Sequence, residues 1–148
     1  FTSVRVINQM INNDRLLDQL VVHEGLKLQP YYCTSDKLTI GVGRNLDDVG
    51  ISEAEAEFML LNDVERVVGQ CERSFGWFNE APDLVQEAVV NLVFNMGMNA
   101  FSKFKLTIGH LEAGRYELAG AELLNSRYAE QVGQRSVEVA NQIAGCQK

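Results

Sequence analysis

The chain has 148 residues, 46% of them hydrophobic and only two of them proline, which fits one compact, helix-rich domain with a single core. No apolar run approaches the ~18 residues a membrane-spanning helix needs. A net charge of −7 argues against nucleic acid as a partner, because phosphate binding needs clustered Lys and Arg. Three cysteines (Cys33, Cys71 and Cys146) are an odd count, so at least one is unpaired and a disulfide framework is excluded.

In chain order, Phe1 to Asn13 forms an extra amphipathic stretch with no assignable chemistry. A start at Phe1 rather than Met is read as processing or excision from a longer protein, with which any export segment would have gone. Asp14 to His23 carries Leu16, Leu17, Leu20 and Val21 on one face, which predicts a helix, and Gly25 ends it. From Leu28 to Leu46 the pattern turns aromatic and β-branched, broken by Thr34-Ser35-Asp36, which predicts a hairpin with a polar turn.

Ser52-Glu53-Ala54-Glu55 is a capping box opening a long helix to about Arg73. After Pro82, Asp83 is expected to cap a helix whose stretch Ala88 to Phe94 is apolar almost all round, as in a buried central helix. Shorter helices are expected at roughly Ser102–Glu112, Arg115–Leu124 and Gln134–Ile143, with Gly109, Gly114 and Gly133 as punctuation. Met96, Met98, Phe101 and Phe104 read as core and groove lining.

The densest chemistry lies at Glu24, Cys33 and Thr39, set in His23-Glu24-Gly25 and Thr39-Ile40-Gly41-Val42-Gly43. Eight residues separate the glutamate from the cysteine, and five separate the cysteine from the threonine. A glutamate ending a helix and facing a polar hairpin can protonate a leaving group while a second group attacks or activates water. This pattern resembles the catalytic segment of the phage-type lysozymes, the endolysin muramidases: glutamate, then aspartate or less often cysteine, then threonine.

The likeness continues in Ile51 to Glu57, in Asn91-Leu92-Val93-Phe94-Asn95-Met96-Gly97, in Phe104 with Leu111 and Gly114, and in Ser126-Arg127-Tyr128 with Gln131 and Arg135. It implies an α+β, predominantly helical, lysozyme-like fold in one catalytic domain. Residues 14–50 would make a small lobe with the hairpin, 52–73 the connecting helix and 83–148 the helical lobe, with a substrate cleft between lobes. Two positions depart from the family: Cys33 replaces the commoner aspartate, and Arg44 follows Gly43 where histidine is usual. The arginine is expected to be a packing or ion-pair substitution.

Standing alone, Glu24 would be an ordinary solvated helix-end carboxylate. Within the motif it is expected to be the general acid, a role that partial burial would favour. The resemblance makes Arg135 the matched cation that fixes this side chain; alone it would be a surface arginine. A free cysteine is most often a small buried hydrophobe. At this spacing Cys33 is expected either to attack the anomeric carbon as thiolate or to orient and deprotonate water. A neighbouring carboxylate would disfavour the thiolate, so water handling is preferred.

Thr39 would be a plain strand residue, or the hydroxyl that positions the water. Gly41 and Gly43 are expected to serve the backbone, Tyr31 the core and Tyr32 the cleft wall, with either tyrosine able to stack on a sugar. Phe94 and Asn95 join the expected substrate-positioning set. His23 and His110 have no partners at zinc spacing, and no phosphate loop or nucleophile elbow occurs, so neither metal nor cofactor is expected.

The resemblance implies an enzyme cutting the β-1,4 bond between N-acetylmuramic acid and N-acetylglucosamine in bacterial peptidoglycan. It would act as a monomer without stable membrane insertion, made in the host cytoplasm and acting on the periplasmic or extracellular wall. The acidic charge then leaves only weak or local steering toward an anionic wall. The alternatives are a non-catalytic lysozyme-like peptidoglycan-binding domain of a phage particle and a lytic transglycosylase.

Overall fold

A computed structural model describes residues 13–147; the N-terminal stretch 1–12 lies outside them. The fold is α+β and predominantly helical. Contacts divide the chain into two compact units, Phe1–Leu60 and Leu61–Lys148. Among the described residues no helix is long and apolar enough to cross a membrane.

The first unit begins with α1 (Asn13–Glu24), followed by β1 (Lys27–Tyr32), β2 (Leu38–Gly41) and β3 (Arg44–Asn45). The three strands form one antiparallel sheet in that order, so the expected hairpin gains a short third strand. Tyr31 pairs with Thr39 and Tyr32 with Leu38, while Thr39 on its other side pairs with Asn45. Pro30 has no N–H to give a ladder, and it sits on the edge strand β1, where the register is irregular between Lys27 and Tyr31. The polar turn between β1 and β2 closes with the Asp36 amide on the Cys33 carbonyl, and Asp36 takes a left-handed conformation (φ 61°). The apolar side chains of α1 are not sequestered: Leu17, Leu20, Val21 and Val22 are all exposed.

The predicted capping box is present at the start of α2 (Glu53–Ser74), a helix that runs across the boundary between the units. The Ser52 hydroxyl accepts from the Glu55 amide at 3.1 Å, and Glu55 Oε1 accepts from the Ser52 amide at 3.0 Å.

The second unit continues through one 3-10 turn (Phe78–Glu80) into α3 (Asp83–Met96), α4 (Met98–Phe101), α5 (Lys105–Glu112), α6 (Tyr116–Leu124), α7 (Arg127–Val132) and α8 (Gln134–Ala144). Asp83 does not cap α3 as expected. Pro82 occupies that position, and Asp83 is the first helical residue, where its charge complements the helix N-terminus. Nor is α3 buried all round: Val85, Ala88, Val89, Leu92 and Val93 are buried, while Asn91 and Phe94 are exposed. The two short helices α4 and α7 were not foreseen. A single turn of helix carries too little periodic signal to stand out from the loops around it.

The core of this unit is a packed set of side chains in which Phe78, Phe101, Leu92, Leu111, Leu123 and Ile143 are fully buried. Phe101 meets Phe75 edge-on at 5.7 Å between ring centres, a favoured aromatic geometry. Helices α6 and α8 approach backbone to backbone at Gly120. A Cβ there would lie 2.6 Å from the Ala140 carbonyl oxygen and 3.0 Å from the Ala144 Cβ.

Candidate active site

Glu24 is the last residue of α1. Gly25 breaks the helix at φ 77°, its amide still bonded to the Val21 carbonyl at 2.8 Å. The Glu24 side chain lies against the turn Gly41-Val42-Gly43 that joins β2 to β3. A Cβ on Gly43 would come 3.0 Å from Glu24 Oε2, 3.3 Å from its Cδ and 3.4 Å from its Cβ. Gly43 has φ 69°, so both its conformation and the carboxyl beside it require glycine. The partial burial expected of Glu24 is absent. At the end of its helix the residue is exposed, with the glycine turn as a wall rather than a pocket.

Cys33 follows β1 directly, half-buried and unpaired. Its amide donates to the Lys37 carbonyl at 3.0 Å, which tightens the loop so that backbone amides face the sulfur. Hydrogen bonding from the Lys37 backbone and then the Ser35 backbone holds the thiol below its ordinary value of 9.0, against the opposing effect of burial and with a lesser lowering from the Thr39 side chain. This corrects the expectation that a neighbouring carboxylate would work against the thiolate. Amide donors, which favour the charged sulfur, dominate instead.

Thr39 occupies the central strand and is 3% exposed. Its hydroxyl donates to the Lys37 carbonyl at 2.8 Å. A hydroxyl has one proton, so donation to that carbonyl and donation to the Cys33 sulfur are alternatives. Tyr31 is half-buried and Tyr32, next to Cys33, is exposed. Glu24, Cys33 and Thr39 thus all attach to one small sheet: the acid at one of its turns, the sulfur and hydroxyl at the other.

Arg44 is the ion-pair residue its position suggested. Its Nη1 lies 2.9 Å from Glu55 Oε1 and 3.1 Å from the Gly50 carbonyl oxygen. The Arg44 guanidinium beside it, then the Ser52 backbone and hydroxyl, hold the Glu55 carboxyl down at about 2. Both side chains remain partly exposed, and exposed pairs of this kind stabilise by about 0–1 kcal/mol. Beside them lies an apolar hollow of about 750 Å³ lined by Ile40, Val42, Ile51, Phe58 and Met59. Sequence reasoning missed Glu55 as a partner of the hairpin, because its helix-capping pattern already accounted for it.

In the second unit, Phe94 and Asn95 are exposed near the end of α3. Arg135, on α8, donates from Nε and Nη2 to Asn91 Oδ1 at 3.0 and 2.8 Å. Tyr128, in the segment that carries the likeness near Arg135, is 6% exposed and packs edge-on against Phe104 at 6.4 Å. Its hydroxyl is buried with no hydrogen-bond partner among the described residues, and burial pushes its pKa up although Arg135 pulls the other way. Among the described residues no group of three or more His, Cys, Asp or Glu is placed to hold a metal ion.

The chain matches the family described as Phage lysozyme over residues 21–141. It is 33% identical to an endolysin of Acyrthosiphon pisum secondary endosymbiont phage 1, the match covering 77% of this chain and 78% of that protein. It is 29% identical to a probable T4-type lysozyme 2 of Dictyostelium discoideum, over 84% of this chain and 90% of that one. The match spans the strands and turns carrying Glu24, Cys33 and Thr39 and reaches through Arg135, and on that ground the chain belongs to the phage lysozyme family and is a glycoside hydrolase of the muramidase kind.

Proposed function

We propose that this lysozyme hydrolyses the β-1,4 bond between N-acetylmuramic acid and N-acetylglucosamine in bacterial peptidoglycan and so lyses the host cell. Glu24 is the general acid. Its proton passes to the glycosidic oxygen as the bond from that oxygen to the anomeric carbon breaks. Water attacks the same carbon from the opposite face, positioned by the Thr39 hydroxyl, and gives its proton to the Cys33 thiolate. The products are a free reducing end and a free sugar hydroxyl, and Glu24 and Cys33 recover their protonation through solvent. Because Glu24 is exposed without substrate, the glycan itself supplies the apolar cover that favours a neutral carboxyl. The enzyme works as a monomer on the wall, with Tyr32 as a stacking surface, Phe94, Asn95 and Arg135 positioning substrate, and steering confined to short range by the net charge of −7.

The observation that carries this reading is the Cys33 sulfur, faced by the Lys37 and Ser35 amides and the Thr39 hydroxyl, on the sheet whose other turn backs Glu24. The test is digestion of purified peptidoglycan, with the new reducing ends followed by NMR. The α anomer should appear first, as inversion requires. A β anomer would make the sulfur the nucleophile at carbon, anhydro-sugar ends would mean transglycosylation, and bound glycan without new ends would mean a binding module.

A further inference from the structure

The Gly41-Val42-Gly43 turn has to stay in place for Glu24 to have a wall, yet among the described residues the turn's own side chains give it no polar anchor, only the apolar edge of Val42 along the hollow. Gly41 and Gly43 have none, and Val42 is exposed. The nearest anchor is the next residue. Arg44 is paired across the sheet with Ile40, so its backbone belongs to β3. Its guanidinium reaches Glu55 Oε1 at 2.9 Å and the Gly50 carbonyl at 3.1 Å, tying the strand to the loop before α2 and to the first turn of that helix. The same Glu55 oxygen accepts from the Ser52 amide at 3.0 Å, which gives the carboxylate a second hold besides the arginine. On the other side of the turn Gly43 leaves just enough room for the Glu24 carboxyl, since a Cβ there would come 3.0 Å from its Oε2.

We propose that Arg44, through its ion pair with Glu55, is a positioning residue for Glu24: it holds Gly43 against the acid and so sets the direction in which the carboxyl presents its proton. The inference rests on Glu24 being the general acid. An exposed ion pair adds little to stability, so its contribution should lie in geometry, where small displacements of a catalytic group cost rate.

Glu55 has two roles that can be separated. Gln also satisfies a capping box, so Glu55→Gln keeps the helix start while removing the charge that holds Arg44. Arg44→Ala and Glu55→Gln should each lower kcat on purified peptidoglycan about tenfold, with KM little changed. The double variant should lose no more than either single one, because both remove the same contact. Arg44→Lys, which keeps the charge, should recover part of the rate. Gly43→Ala, which pushes on the same carboxyl from the turn, should share the kcat-specific loss.

Additive losses, losses confined to KM, or wild-type kcat in folded Arg44→Ala would each overturn the proposal. Glu24→Gln measured alongside separates the two ideas. If that variant is active, the acid assignment fails and the proposal goes with it. If it is inactive while Arg44→Ala is unimpaired, only the positioning role falls.

Discussion

The two units of the chain are built by different means. Among the described residues up to Leu60, Thr39 alone is buried, whereas the unit from Leu61 onward buries Phe78, Leu92, Phe101, Leu111, Leu123 and Ile143 and their neighbours. The first unit is held instead by polar contacts: Arg44 to Glu55, the Leu38 amide to Asp47 Oδ2 at 2.8 Å, and Asn45 to Asp48 at 2.9 Å. Net contributions from such contacts are small singly, and their value is directional. Apolar burial supplies most folding free energy but little direction. The proposed chemistry sits in the unit that relies on direction, and the thermodynamic weight sits in the other.

That contrast breaks most visibly in the core. Phe101→Ala, at a site with no exposed surface, should destabilise the second unit by about 3–5 kcal/mol and lower its thermal midpoint by roughly ten degrees or more. A shift under one degree would mean that the core is not concentrated there.

In the first unit the effect should fall on rate. Glu24→Gln should cost on the order of a hundredfold or more in lysis, with an unchanged thermal midpoint, because the exposed amide fits where the carboxyl did but has no proton to give. Activity within a few-fold of the parent, in folded protein, removes Glu24 from the mechanism.

Cysteine reactivity sharpens the same division. Cys33 has its thiol lowered by amide donors, while burial pushes Cys71 up to about 11. At mildly alkaline pH iodoacetamide should therefore label Cys33 and stop lysis while Cys71 stays unmodified, as mass spectrometry would show. Cys33→Ala should be severely impaired and Cys33→Asp should keep substantial activity. A stable, active Cys33→Ala would leave the sulfur with a packing role only.

Acid should weaken the hairpin's anchor late. The Glu55 carboxyl is held at about 2 against an ordinary 4.5, so the pair with Arg44 contributes fully above the ordinary value and is lost as pH falls through about 2. NMR signals of Arg44 and Gly50 that move near pH 4.5 would contradict this.

Smallest of all should be Arg135→Ala when read as stability. It removes exposed hydrogen bonds to Asn91 worth about 0.5–1.5 kcal/mol, and a much larger loss would mean a structural role for that arginine beyond this contact.

Much of this was legible in the residues. The capping box at Ser52 and Glu55, the helix end at Gly25 and the sheet between Leu28 and Leu46 are local patterns, and each came out at its place. The α1 stripe of Leu17, Leu20 and Val21 was equally legible, but periodicity gives a face and says nothing of what will cover it. The pairing of Arg44 with Glu55 joins residues eleven apart through a turn, and neither residue type predicts the other. The electrostatics of Cys33 depend on where the Lys37 and Ser35 amides point after the loop folds, so reasoning from residue types alone gave the wrong sign.

The contact at Gly120 bears on what the chain can tolerate. With no space for a Cβ between α6 and α8, the two helices act as one plate, and α8 is half of it. Trimming the chain back past Ser136 would remove Ala140 and Ala144 from against Gly120 and hand a protease an unzipped helix. Sequence drift meets the same constraint: position 120 can grow only if α8 moves away, and that movement would also shift Arg135 on the same helix.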